Sequence, residues 1–295
     1  MKKLLLLVST LLLCLASCEK VETDLPQIGD GVTENGEAVK RFTFHVKGDF
    51  TTNFEDMTRS AVRIENENKA GITDIWVLDY VNGVCVQSVH QGSTQSDITF
   101  GSVPMSLTYG HHDIKFIASK GEGASLTESA ISWTKIKDTF TLDYPVDVVA
   151  SSNGNRAPEL ARAISGLKIT ITDEIPAEAK TMCVTLGSRS QTITLPTLSA
   201  LPYTESTVDL DVTSLVGKTN ASVICYTLAG DEEWTSTASL AVKRADGTVI
   251  TSLDLPDVQL KRNRMTVITG EVFNRTNGFH VAIDSEWDAD YPMTF

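Results

Sequence analysis

The residues of this 295-residue chain that could do chemistry are few. His111-His112-Asp113, in TYGHHDIKF, sets two imidazoles beside a carboxylate, the residue types that hold zinc. They lie where a glycine turn enters a strand pattern, and neighbouring side chains on a strand point to opposite faces. Solvated turn residues are therefore the expected reading, and a metal site the less favoured one. Asp209 and Asp211, in STVDLDV, share one strand face, but the Gly and Glu of a calcium loop are missing. Asp284, Glu286, Asp288 and Asp290 surround Trp287 and read as a solvated terminal edge whose charges discourage wrong pairing. The chain lacks H-E-x-x-H, G-x-S-x-G and G-x-x-x-x-G-K-[ST]. Paired carboxylates arise by chance in an acidic β-protein, so spacing argues neither for nor against a glycosidase. Trp76, Trp133 and Trp234 sit in or beside strand patterns and are expected in the core, not on a carbohydrate platform. No catalytic residue, cofactor or metal ligand is assigned, and the chain is not expected to be an enzyme.

The cysteines carry more information. Lys2 and Lys3 precede Leu4–Leu15, an apolar run shorter than the roughly 20 residues a membrane-spanning helix needs. A basic start, an apolar core and small residues before a cut describe a secretory signal. Leu15-Ala16-Ser17-Cys18 resembles the lipobox of bacterial lipoproteins. That resemblance implies cleavage before Cys18, a diacylglycerol thioether on its sulfur and acylation of the new amine. An ordinary Cys18 near a conventional Ala-x-Ser cut is the plainer alternative. Each buried acyl CH₂ contributes about 0.8 kcal/mol, and several chains together anchor a protein stably. Cys14 leaves with the signal, so Cys85, Cys183 and Cys225 remain, without a C-x-x-C pair. Cys183 and Cys225 lie in apolar strand-like runs and read as buried free thiols. A Cys183–Cys225 disulfide, which an exported protein could form, is the lesser alternative.

The full chain has 25 basic and 38 acidic side chains and a formal charge of −13. Loss of residues 1–17 removes two lysines and no acid, which shifts that charge to −15. Such a surface repels phosphate backbones, so nucleic acid is not an expected partner. Apolar and aromatic contents are those of a globular chain.

These residues must be positioned by β-structure. Residues 18–40 carry acids, Gly and Pro without apolar period and read as a tether. From Arg41, Phe42, Phe44 and Val46 alternate with polar residues, the period of a half-buried strand. The pattern recurs along the whole chain. TDIWVLDYV and VCVQSVHQ flank Asn82-Gly83, a type I′ hairpin signal. Ala245-Asp246-Gly247 and Thr276-Asn277-Gly278 are further turn signals. Pro176–Lys180 is the one place where a helical turn is expected. Short strands between Gly, Pro and Asn turns argue for an all-β sandwich architecture. The polar, turn-rich residues 151–158 suggest a boundary. The expected layout is a signal peptide over 1–17, a tether over 18–40, and sandwich domains over 41–155 and 156–295.

Several stretches taken together are similar to the Bacteroidales fimbrillin superfamily, lipoprotein-derived subunits of fimbriae. They are KGDFTTNFEDMTRSA, TDIWVLDYVNGVCVQSVHQ, LTYGHHDIKFIASKG, LARAISGLKITITDEIP, LKRNRMTVITGEVF and the acidic segment around Trp287. The resemblance implies two tandem transthyretin-like (Ig-like Greek-key) β-sandwiches, export as a lipoprotein and assembly at the cell outer membrane. It also implies that stalk subunits lose their first strand to a trypsin-like protease that cuts after an Arg. A neighbour's terminal strand then fills the vacated groove, whereas anchor subunits keep both strand and lipid.

On this chain the implied first strand is Arg41–Phe50, with Phe42, Phe44 and Val46 as its inward residues. The implied cut follows Arg59. The implied terminal strand is GFHVAIDSEW, with Phe279, Val281 and Ile283. A strand taken from a sandwich leaves unpaired N–H and C=O groups and an apolar slot, which strand addition satisfies. Head-to-tail contacts of that kind propagate into a filament. A solvated loop arginine is the plainer reading of Arg59, and the chain is short for a stalk subunit. An anchor or accessory subunit is therefore favoured over a cleaved stalk or tip subunit. Its expected partners are other fimbrial subunits, the outer membrane through lipid, and a host or bacterial surface ligand. A surface lipoprotein that binds glycan or a host ligand is the alternative class, and it requires a row of exposed aromatics on one face.

Overall fold

The computed structural model describes residues 31–33, 35–48, 71–274 and 280–284, with backbone alone at 48 and 280–284. Cys18, Arg59, Phe279 and Trp287 lie outside the described residues.

The first half contains β1 (Gly31–Val32), β2 (Ala38–His45), β3 (Lys47–Gly48), β4 (Asp74–Val81), β5 (Val84–Gly92), β6 (Ser102–Thr108) and β7 (Gly110–Ser119). It continues through β8 (Ser125–Leu126), β9 (Ala130–Ser132), β10 (Thr139–Val148), β11 (Asn155–Arg156) and β12 (Glu159–Arg162). The second half contains β13 (Ile164–Ile171), β14 (Thr181–Arg189), β15 (Thr192–Thr194), β16 (Ser199–Ala200) and β17 (Thr204–Asp211). It ends with β18 (Ala221–Leu228), β19 (Trp234–Lys243), β20 (Val249–Leu260), β21 (Met265–Gly270) and β22 (His280–Asp284). Thr213–Leu215 forms a short 3₁₀ turn. The chain is all-β, as its period-two patterning requires.

Local chemistry explains the turns. Asn82 and Gly83 both have positive φ, 51° and 79°, the pair that a type I′ hairpin between β4 and β5 demands. Pro176 to Ala179 closes a single reverse turn through Ala179 N–H to Pro176 O at 3.0 Å, so the expected helical turn is not propagated. The residues that follow enter β14 at Thr181, and the ladder takes their hydrogen bonds.

Two sheets enclose the first core. β2 lies at the centre of one, bonded to β6 on one edge and to β1 and β11 on the other. The other runs β3-β12-β10-β7-β4-β5. Phe42, Phe44, Val77, Met105, Leu107, Phe116 and Phe140 fill the space between them. The second core lies between β18-β13-β21-β22 and β17-β14-β19-β20. Leu167, Ile169, Met182, Val184, Leu240 and Ile268 are among its buried residues.

Residues 156–162, which the expected layout assigns to the second domain, pair with the first half. β11 runs parallel to β2, and β12 pairs with β10 and β3. The chain crosses at Ala163, between β12 and β13. The halves also share structure. β9 and β15 pair antiparallel through Ser132–Thr192, Ile131–Ile193 and Ala130–Thr194. A third core then combines Trp76, Ile117, Ile131 and Trp133 with Ile164, Ile193, Leu228 and Met265. A surface of this kind, apolar and backed by a shared ladder, resists relative domain motion.

Candidate strand-exchange site

The first strand begins upstream of Arg41. β2 starts at Ala38, and residues 31–32, expected in the tether, pair with Val39 and Ala38 as β1. Val39 is buried on the face opposite Phe42, which accounts for the longer strand: both faces have something to cover. At Val46 the chain leaves the sheet of β2, and as β3 it joins the facing sheet beside β12. Val46 N–H donates to Gly101 O at 2.8 Å at this crossing.

The inward residues of this strand are where their alternation places them. Phe42 and Phe44 are 2% and 0% exposed, and Val46 packs against the same core. Phe44 meets Phe116 edge to face, with centroids 5.3 Å apart, and Tyr144 likewise at 6.1 Å. Burial of each phenylalanine contributes about 1.5–3 kcal/mol, and each aromatic pair adds about 0.5–1.5 kcal/mol. The ladder to β6 is continuous from Val39–Thr108 to His45–Ser102. Among the described strands β6 pairs with β2 alone. Removal of β2 would therefore separate β1, β6 and β11, open the whole edge of β6 and leave a slot floored by Val103, Met105, Leu107 and Phe116.

The other strand implicated by sequence, β22, lies at a sheet edge. It pairs antiparallel with β21, Val281 opposite Ile268 and Ile283 opposite Thr266. The turn that leaves β21 is held by Asp173, which sequence reading did not single out. Its carboxylate accepts from the N–H groups of Val272, Phe273 and Asn274 at 3.0, 2.6 and 2.8 Å. An Asp directly after the apolar strand GLKITIT was the signal available.

The remaining candidates divide. His111 is exposed and bonds Asp147 at 2.8 Å, and this bond is the main cause that raises its pKa. His112 is not a solvated turn residue: it is 1% exposed, with Nδ1 2.8 Å from Asp79 Oδ1 and Nε2 2.9 Å from Thr108 O. Burial works against its charged ring, but the Asp79 bond and charge and the Thr108 carbonyl outweigh that, and its pKa is raised. The alternation of Ile114 and Phe116, read back two residues, places His112 inward; read forward two residues from Val77, it places Asp79 inward as well. Asp209 and Asp211 are exposed on β17. Bonds from Thr213 and then Lys180 hold Asp211 down at about 2. Among the described residues no group of three or more His, Cys, Asp or Glu is placed to hold a metal.

Cys85, Cys183 and Cys225 are free thiols. Cys183 stands on β14 and Cys225 on β18, in opposite sheets of the second sandwich. Burial pushes Cys225 up to about 11, against the nearby Arg189 guanidinium. Trp76 and Trp133 are buried in the shared core, and Trp234 is half-buried against Tyr203 with centroids 5.0 Å apart. Among the described residues Tyr109 is the large exposed aromatic, so the row of aromatics that a glycan platform requires is not formed there.

No family model matches the chain. No curated protein matches it either. Among solved structures it is similar to a candidate adhesin from Bacteroides ovatus, at 11% identity and a TM-score of 0.46, covering 87% of this chain and 96% of that one. It is similar to a fimbrial anchor protein from Porphyromonas gingivalis at 9% identity and a TM-score of 0.46, covering 86% and 100%. A tip fimbrial protein of the same organism, truncated at its C-terminus, gives 12% identity and a TM-score of 0.44, covering 82% and 99%. Adhesin and fimbrial chains of Bacteroides and Porphyromonas are thus what this chain is similar to over most of its length.

Proposed function

We propose that this protein is a structural subunit of a bacterial surface fimbria, a lipid-anchored anchor or accessory subunit that joins the fibre by strand addition and supports adhesion. One observation carries the reading: β2 is the central strand of its sheet, and without it β6 has no strand neighbour among those described. A chain built this way presents a ready slot for an extended segment once the strand is gone, and a closed surface while it stays. The lipobox-like sequence at Cys18 supplies the outer-membrane anchor in this reading. Other fimbrial subunits are the partners, two sandwich domains the body, and no catalytic role is assigned.

The retained first strand separates an anchor from a stalk. The mature protein keeps residues 18–59 attached, so that lipid, tether and first strand form one covalent piece. Mass spectrometry of protein from its native membrane is expected to find an acylated Cys18 peptide continuous with Ser60-Ala61. A mature form that begins at Ser60 would overturn the anchor assignment and indicate a polymerising stalk or tip subunit cleaved after Arg59. Cys18→Ala is expected to abolish incorporation of labelled fatty acid. Deletion of residues 278–295 is expected to leave the lipoprotein in the membrane and release fibres to the medium.

A further inference from the structure

The polar connection between β10 and β12 does more than join them: it lies along the outer edge of the first strand. Thr43 N–H donates to Gly154 O at 2.7 Å, and β11 continues parallel to β2 with Asn155 opposite Thr43 and Arg156 opposite Phe44. Lys47 N–H donates to Pro158 O at 2.8 Å, and Glu159 and Leu160 then pair with Lys47 and Gly48. Contact is close. A Cβ on Gly154 would stand 2.3 Å from Arg41 O, so only glycine lets the connection lie flush on the strand. The Arg156 guanidinium carbon stands 5.9 Å from the Phe42 ring centroid. Among the described residues Arg156 Nε is buried without a hydrogen-bond partner, and the Phe42 ring face lies beside the guanidinium.

The connection is fastened at both ends, and its middle is held by β2. β10 and β12 pair with each other through Phe140–Arg162 and Thr141–Ala161, so the segment leaves and rejoins the same sheet. Val149 and Ser152 close a turn at its start, through Ser152 N–H to Val149 O at 2.9 Å. Asn153 Oδ1 accepts from Asn155 N–H at 2.9 Å. Between these points β11 has β2 as its sole strand neighbour among those described.

We infer that residues 153–158 are a latch on the groove of the first strand, and that Arg156 is its specificity-determining residue. The latch rests on the strand-exchange reading for its use, because it matters only if a strand leaves or enters that groove. With β6 on one side and the latch on the other, no strand enters sideways until residues 153–158 lift. Once closed, the latch sets Arg156 over the position of Phe42 and favours a segment with an aromatic ring there. The stabilisation of such a contact lies in the orientation of a cation over a ring face, which an aliphatic side chain does not offer.

The test uses the intact chain and a fluorescent peptide of residues 38–48, which is taken up only if β2 vacates its place. Gly154→Val forces the latch off Arg41 O; loss of about one backbone hydrogen bond predicts uptake up to roughly tenfold faster than wild type. Wild type is expected to prefer this peptide over one with Leu at the position of Phe42, and Arg156→Gln is expected to reduce that ratio by roughly three- to tenfold. Uptake at the wild-type rate in Gly154→Val overturns the latch; an unchanged Phe-to-Leu ratio in Arg156→Gln overturns the role of Arg156. If Gly154→Val does not fold, Gly154→Ala carries the rate comparison under the same criteria. The measurement requires neither lipid nor fibre. A protein that never joins a filament but shows both effects retains the latch and loses the fimbrial reading, and one that joins filaments with both effects absent does the reverse.

Discussion

His112 and Asp79 form a buried pair 2.8 Å apart in the first sandwich, from adjacent strands β7 and β4. His112 also reaches the Thr108 carbonyl at 2.9 Å, so both ring nitrogens are engaged. Removal of one partner of such a pair leaves the other buried and uncompensated. Asp79→Ala is expected to lower the unfolding free energy by about 3–5 kcal/mol, read by urea denaturation at pH 6.

The same pair sets a pH dependence. The pKa of His112 is raised on folding. Its contribution is therefore fully present below the ordinary histidine value, near 6.5, and is lost as pH rises through the higher folded value. Across pH 6 to 8 the wild type is expected to lose more stability than His112→Gln. Parallel profiles for the two proteins would contradict this.

Arg162 and Asp138 join the crossing point to the first sandwich. Arg162 Nε and Nη2 lie 2.6 and 3.0 Å from the two carboxylate oxygens, and its guanidinium carbon is 4.9 Å from the Phe140 ring centroid. Arg262, from the second half, donates to Arg162 O at 2.7 Å and to Thr141 Oγ1 at 3.0 Å. With the shared core, these bonds tie the two halves together. Thermal unfolding of wild type is expected to give one transition. Trp133→Ala, which empties part of the shared core at a cost of about 3–5 kcal/mol, is expected to split it into two.

Asp173 holds the chain as it leaves β21, accepting from the backbone N–H groups of Val272, Phe273 and Asn274. Asp173→Ala leaves those donors without their acceptor and is expected to cost about 1–3 kcal/mol. Amide hydrogen exchange should show the loss first at Val272–Asn274 and in β22, with β13 and β14 unchanged.

Cys85 is exposed, whereas Cys183 and Cys225 are buried. Native protein treated with a maleimide is expected to label at Cys85 alone among these three, and at all three in denaturant. A native adduct on Cys225 would show that the second sandwich opens on the labelling timescale.

Period-two alternation was enough to read the strands, because a half-buried strand must alternate to keep one face dry. It identified Phe42 and Phe44 as inward residues of a strand, while turn chemistry identified Asn82-Gly83 as a hairpin. It also led to Trp76 and Trp133 as core. What sequence could not reveal were the partners across the fold. Alternation can place His112 and Asp79 inward, but only the pairing of β7 with β4 brings them together, 33 residues apart in the chain. Residues 151–158 look like a polar linker because the side chains are polar. Their function in the fold is carried by backbone: Gly154 O and Pro158 O accept from the first strand, more than 100 residues earlier. Main-chain hydrogen bonds leave no imprint on residue type, except where close approach demands glycine. The shared sheet of β9 and β15 is hidden for the same reason, since three-residue strands show too little pattern to announce a pairing across two halves. Residue types therefore determined that this chain is a β-protein and which faces it buries; long-range pairing, which depends on closure of the whole fold, decided what holds its first strand in place.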